Sequence, residues 1–65
     1  MQPHQQRVID EKAELDEKRE KLDAFGRTPM FTGLPQQEKE RLNAQAHIMT
    51  MYSAVLGDRI AAFTA

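Results

Sequence analysis

Basic side chains on two predicted helices offer the most telling chemistry in this chain. Arg and Lys can hold phosphate groups through charge-assisted hydrogen bonds, while Tyr and His rings can stack on bases. From the residues alone, ordinary solvation of a helical surface is the simpler explanation for the cations. Tyr52 is likewise more simply an aromatic at the edge of a core. A symmetric assembly would favour ligand binding over simple solvation, because it gathers copies of each group around one pocket. The basic residues are Arg7, Lys18 and Lys21 in the first helix and Arg59 in the second.

Catalytic and metal chemistry find little support in the sequence. His4 and His47 lie far apart, and neither belongs to a metal-binding spacing such as His-x3-His. Carboxylates of the first helix alternate with bases on solvated faces, and 65 residues leave little room for a cleft that excludes water. Cysteine is absent, which excludes a thiol nucleophile and a disulfide scaffold. We therefore expect a protein without enzymatic activity, cofactor or metal.

Two segments repeat apolar residues at alternating steps of three and four, the spacing that aligns side chains along one helical stripe. Polar residues interrupt both stripes, so neither stripe explains folding by itself. A helix-breaking segment separates the two. The pattern predicts an all-α, antiparallel helical hairpin with a short helical turn at the connection. The first stripe contains Val8, Glu11, Leu15, Lys18, Leu22 and Phe25, and the second contains Leu42, Gln45, Met49, Tyr52, Leu56, Arg59 and Phe63.

Prolines and glycines mark the ends of these helices. Pro3 suits a first helical turn, where its missing N–H costs least. Gly26 is expected to end the first helix in a left-handed conformation, and Pro35 suits the start of the second. We predict one domain, 1–65, with helix 1 at about 2–25, a corner at 26–34 and helix 2 at about 35–63.

The corner carries a pattern of its own. Thr28 followed by Pro29 is typical of a helix cap and first turn, so a single helical turn is expected with Met30 and Phe31 facing inward. Counting outward from the corner also gives a register for the hairpin, in which two seam charges neutralise each other at the open end. The predicted neighbours are Phe25 with Leu42, Leu22 with Gln45, Leu15 with Tyr52, and Val8 or Glu11 with Arg59.

A chain this small needs further support for its fold. Only 40% of its residues are apolar and none is Trp, so the core is thin, and association is the usual remedy when disulfides are absent. Ile48, Val55 and Ala62 widen the apolar face of helix 2 beyond what one partner helix covers. Gly57 costs about 1 kcal/mol relative to Ala inside a helix. Close approach of another backbone would explain it, although a tolerated surface glycine does nearly as well. We expect a homo-oligomer with contacts through helix 2.

Composition also limits the compartment and the partners. No apolar stretch approaches the roughly 20 residues needed to cross a bilayer, and the N-terminus lacks the features of a signal peptide. We therefore expect a cytoplasmic protein without a membrane partner. Nine basic residues against ten acidic ones give a net charge of −1, so no global field favours DNA.

A joint spacing of residues runs along both sides of the corner and covers nearly the whole chain. It consists of His4-Gln5-Gln6-Arg7-Val8, Glu11, Glu14-Leu15, Lys18, Lys21-Leu22 and Phe25, then Phe31, Leu34-Pro35, Glu38, Leu42, Gln45, Met49, Tyr52, Leu56 and Arg59-Ile60. This spacing resembles that of a family of short phage proteins. The family includes the anti-CBASS cyclic-nucleotide sponges, and its hairpin is similar to that of the anti-Thoeris sponges.

This resemblance implies a homohexamer of hairpins, located in the host bacterial cytoplasm during infection. It would sequester the cyclic di- or trinucleotides made by bacterial immune synthases, in pockets between protomers and without degrading them. The residues implied are Arg7, Lys18, Lys21 and Arg59 for phosphate contact, with His4 and Tyr52 for base contact. The alternative is a non-catalytic, oligomeric helical-hairpin module for protein–protein interaction, in which the basic residues are merely solvated.

Overall fold

The computed structural model describes residues 1–64. Two long helices, α1 (Pro3–Phe25) and α3 (Gln36–Ala61), flank a short helix α2 (Pro29–Thr32), and a 3-10 turn (Ala62–Thr64) follows α3. The helices α1 and α3 pack against each other as an antiparallel hairpin, 46 Å long and 14 Å across between Cα atoms. Residues 1–64 contain no strand. The all-α hairpin is thus confirmed, while residue 65 of the predicted domain lies outside the described part.

The ends of the helices follow the predicted boundaries closely but not their predicted geometry. Pro3 occupies the first position of α1, and the N–H of Gln2 donates to the Gln5 side chain at 3.0 Å. Gly26 is right-handed, with φ −62° and ψ −15°, so the prediction of a left-handed stop was wrong. The chain instead tightens into a further turn, in which the N–H of Arg27 donates to the Ala24 carbonyl at 3.1 Å. Pro35 caps α3 rather than beginning it.

Thr28 organises the corner. Its hydroxyl accepts a hydrogen bond from the N–H of Phe31 at 3.3 Å and donates to the Phe25 carbonyl at 2.7 Å, which confirms the predicted cap. Phe31 packs edge-on against Phe25 with ring centroids 6.2 Å apart. Met30 is 73% exposed, so its predicted inward position was wrong. A helix of a single turn presents only one face to the hairpin, and Phe31 occupies that face.

The core between α1 and α3 is thin. Val8 and Leu56 are buried, and Leu56 has no exposed surface. Other apolar members of the two stripes are half-buried, namely Leu15, Leu22, Phe25, Leu42, Met49 and Phe63. The polar members are all exposed, namely Glu11, Lys18, Gln45 and Arg59. The stripes therefore run along one side of the helix interface, with their polar residues at its edge.

Three contacts fix the register of the hairpin. Asp16 meets Ser53, Arg19 meets Thr50, and Lys12 meets Gly57, so each step back along α1 matches an equal step forward along α3. The predicted pairing of Leu15 with Tyr52 would set Met51 opposite Asp16 instead of Ser53, two residues away. The error is about half a helical turn.

The open end of the hairpin also differs from the prediction. Glu11 and Arg59 are both exposed, and no ion pair joins them within residues 1–64. The predicted neutralisation of these seam charges was therefore wrong. Each of the two side chains is solvated separately.

Candidate functional site

The predicted ligand-binding residues lie at separate places on the hairpin surface. His4 and Arg7 are exposed in the first turns of α1, and Arg59 is exposed in the last turn of α3. Because the two helices run antiparallel, these three residues lie near the same open end. Lys18 and Lys21 are exposed further along α1, and Lys21 pairs with Glu17 at 3.1 Å. Tyr52, in the middle of α3, is 43% exposed.

Four of the predicted residues share one side of the hairpin. His4 and Lys18 lie on one stripe of α1, and Tyr52 and Arg59 lie seven residues apart on a stripe of α3. In an antiparallel pair both stripes border the same edge of the interface, and we call these four residues the basic flank. Arg7 and Lys21 lie further round α1, away from α3. The single chain therefore does not gather the six predicted residues into one pocket.

A polar cluster that sequence reasoning missed crosses the hairpin at Asp16. Its carboxylate accepts hydrogen bonds from Lys12 Nζ at 2.7 Å, Arg19 Nη1 at 2.9 Å and Ser53 Oγ at 2.6 Å. The second Arg19 amino group reaches Thr50 Oγ1 at 3.4 Å. Lys12, then Ser53 and Arg19, hold the pKa of Asp16 well below its usual range. Asp16 is consequently ionised at any physiological pH.

Gly57 lies next to one member of this cluster. A Cβ atom built on Gly57 would lie 3.5 Å from Cε of Lys12. The lysine stem therefore passes over the glycine on its way to Asp16. This contact gives Gly57 a neighbour within its own chain, where the sequence suggested the backbone of another chain.

A groove runs between α1 and α3 beside the Asp16 cluster, on the side opposite the basic flank. The first part, which we call the polar groove, has a volume of about 500 Å³ and is lined by Asp16, Arg19, Glu20, Asp23, Ala46 and Thr50. The second part, the corner hollow, has a volume of about 230 Å³ near α2. It is lined by Leu22, Asp23, Gly26, Arg27, Phe31, Leu42, Asn43 and Ala46.

The sequence does contain a pattern that matches this cluster. Lys12, Asp16 and Arg19 are four and three residues apart, as are Gly57, Ser53 and Thr50 in the opposite direction. Each set lies on one helix face. Ion pairs at these spacings are also typical of a solvated helix, so only the register of the hairpin distinguishes the two interpretations.

Residues 1–64 include no group of three or more His, Cys, Asp or Glu side chains that could hold a metal ion. None of the helices in this part of the chain is long and apolar enough to cross a membrane.

A family model described as Sequestin matches residues 2–62, which is nearly the entire chain. No curated protein and no solved structure matches the chain. The chain belongs to the Sequestin family, whose name indicates a sequestering function.

Proposed function

We propose that this protein is a phage anti-defence sponge that binds cyclic oligonucleotide second messengers of bacterial immunity and does not degrade them. The observation that carries the proposal is the match of the Sequestin model to residues 2–62, because sequestration requires binding without turnover. Cyclic di- and trinucleotides are the ligand class implied by the resemblance to the anti-CBASS sponges. The protein would act stoichiometrically in the host cytoplasm during infection.

The charges of the basic flank support an anionic ligand. Lys18 and Arg59 are exposed and form no ion pair with any of residues 1–64, so both cations are available for phosphate oxygens. Tyr52 lies on the same flank with 43% of its surface exposed, which leaves ring area for stacking on a base. Lys21 already pairs with Glu17 and would have to exchange that partner for a phosphate.

The exposed face of α3 supports assembly of several copies. Ile48, Met51 and Val55 are 64%, 60% and 55% exposed, and their spacing places them in one line on the side of α3 turned away from α1. We call these three residues the apolar strip. Copies of the same chain would remove the strip from water, and enclose between them a ligand that one hairpin can only touch. The resemblance implies a homohexamer.

A capture-and-release experiment tests the proposal. Purified protein is incubated with cyclic GMP-AMP, free ligand is removed by filtration, and the retained protein is unfolded by heat. The proposal predicts depletion of the free nucleotide and recovery of the intact cyclic form. Recovery of a linear product would instead indicate an enzyme. No depletion across a panel of cyclic di- and trinucleotides would contradict the proposal.

The second candidate is a helical-hairpin module for protein–protein interaction, and the apolar strip is the observation that favours it. In that function the strip binds a different protein, and the basic flank is ordinary solvated surface. The candidates differ in ligand response, because only the sponge changes its thermal stability when a cyclic nucleotide is added.

A further inference from the structure

We infer that the polar groove and the corner hollow together bind the nucleoside part, base and ribose, of the nucleotide ligand. This inference rests on the proposed function and adds a contact surface on the side opposite the basic flank. The two depressions share Asp23 and Ala46, so they form one continuous groove. The volume of its larger part, about 500 Å³, lies in the range of roughly 300–1,000 Å³ typical of small-molecule sites.

The corner hollow has the character of a base-binding site. Leu22, Phe31 and Leu42 line it and are only half-buried, so apolar surface is available to a flat aromatic ring. Phe31 is held in place by its edge-on contact with Phe25. The hollow thus offers a base an apolar surface whose position is already fixed.

Asn43 supplies the polar group that a base edge requires. It lines the hollow, and its side-chain amide makes no hydrogen bond to any other residue in 1–64. A side-chain amide carries both a donor and an acceptor, which allows it to pair with adenine through two hydrogen bonds. Asn43 is therefore a candidate for reading the base.

Glu20 is the carboxylate available to the ribose. Asp16 is occupied by Lys12, Arg19 and Ser53, and Asp23 pairs with Arg27. Glu20 lines the polar groove and has no ion pair within residues 1–64. An ionised carboxylate only accepts hydrogen bonds, and ribose hydroxyls donate to such carboxylates in dinucleotide sites.

The charge of the groove excludes its use as a phosphate site. Both guanidinium groups of the lining are already paired, Arg19 with Asp16 and Arg27 with Asp23, and Lys12 also pairs with Asp16. A phosphate placed there would find no free cation among the lining residues and would be repelled by the Glu20 carboxylate, whereas hydroxyl and amino donors would be attracted. Phosphates must therefore point out of the groove. Because the hairpin is 14 Å across between Cα atoms, a ligand in the groove reaches a basic flank only on a neighbouring protomer.

The test uses substitutions that leave the cluster at Asp16 untouched. Glu20→Gln and Asn43→Ala both change exposed side chains, so the fold and the assembly should survive. Glu14→Gln and Gln37→Ala are matched controls at exposed positions that do not line the groove. Affinity for cyclic GMP-AMP and for its 2′-deoxy analogue is measured by calorimetry. The mass of each variant is measured by light scattering.

We expect Asn43→Ala and Glu20→Gln each to weaken binding of cyclic GMP-AMP about tenfold. Asn43→Ala loses its hydrogen bonds to the base, and in Glu20→Gln a neutral amide oxygen accepts a weaker hydrogen bond from the ribose than the carboxylate does. Glu20→Gln should also reduce the preference of the protein for ribose over deoxyribose. If the groove only repels the ligand at a distance, Glu20→Gln would tighten binding, because it removes a negative charge. That opposite sign would overturn the inference.

Two further outcomes separate this inference from the proposed function. If the wild type binds and both variants have affinities within about twofold of the wild-type affinity, the groove is not the nucleoside site, and the proposed sponge function still stands. Failure of the wild type to bind any cyclic nucleotide would refute both.

Discussion

Ser53 Oγ donates a 2.6 Å hydrogen bond to the Asp16 carboxylate, joining the middle of α3 to the middle of α1. Ser53 is only 3% exposed, so water competes poorly for this bond. Arg19 extends the connection by reaching Thr50 at 3.4 Å. A slip of the helices by one residue would break both contacts. The polar cluster therefore specifies the register that the thin apolar core alone leaves weakly defined.

Asp16→Asn should lower the melting temperature at pH 7, and the difference from wild type should shrink as the pH falls below about 4. The folded-state pKa of Asp16 is depressed below the value of about 3.9 expected for the unfolded chain. Between these two pKa values the unfolded state binds more protons, so acid removes the contribution of Asp16 to stability. Thermal unfolding followed by circular dichroism from pH 2 to pH 7 checks this.

A matched control for that series is Glu17→Gln. Glu17 is also ion-paired, to Lys21, but its side chain is 66% exposed, and such surface pairs contribute little. Its melting temperature should follow that of the wild type at every pH. A constant offset between Asp16→Asn and wild type across the whole range would show that the Asp16 charge does not stabilise the hairpin.

Gly57→Ala should stabilise the protein by about 1 kcal/mol, because Ala favours the helix and its Cβ would make an ordinary contact with Lys12 at 3.5 Å. Gly57→Leu should lower stability, since the larger side chain displaces Lys12 from Asp16. Chemical denaturation measures the free energy of unfolding of both variants and of the wild type. Dissociation of an assembly by Gly57→Ala would contradict this account and indicate that another backbone packs against Gly57.

Val55→Glu should disrupt assembly, because it places a charge within the apolar strip. Ala54→Glu is the matched control, since Ala54 is exposed on the same helix turn but lies off the strip. Sedimentation velocity at micromolar concentration should show a smaller species for Val55→Glu alone. Equal masses for wild type and Val55→Glu would show that copies of the chain do not meet at the strip.

Lys18→Ala and Arg59→Ala should each weaken binding of a cyclic nucleotide about tenfold while leaving the assembly unchanged. Each variant loses a charge-assisted hydrogen bond to phosphate. Lys39→Ala, on α3 but outside the basic flank, should bind as the wild type does. Competition against a fluorescent cyclic nucleotide measures all three. Loss of assembly without a change in affinity per folded chain would assign these cations a structural role.

Much of the fold could be predicted from sequence because local rules determine it. Apolar spacing defined the two helices, and Thr28 with Pro29 defined the corner. Gly26 was mispredicted because glycine also fits a right-handed turn, and only the backbone shows which one it adopts. The predicted register differs from the observed one by two residues. Counting residues outward from the corner does not take into account how α2 positions the two long helices relative to each other.

The candidate site was less accessible to sequence reasoning. Lys12, Asp16 and Arg19 have the spacing of solvated ion pairs, and nothing local indicates that Ser53 completes the cluster. The groove is formed by side chains from both helices and the corner, so its existence depends on the register. Residues of the basic flank could be identified by type, but whether they surround a ligand depends on how copies assemble, which helical spacing does not fix.

Calorimetric titration of the purified protein with cyclic di- and trinucleotides tests the central claim most directly, with the linear dinucleotides as controls. We expect tight, saturable binding of a cyclic ligand, no binding of its linear counterpart and fewer than one site per chain, because the proposed pockets are shared between protomers. A folded protein that releases no heat with any member of the panel would contradict the account.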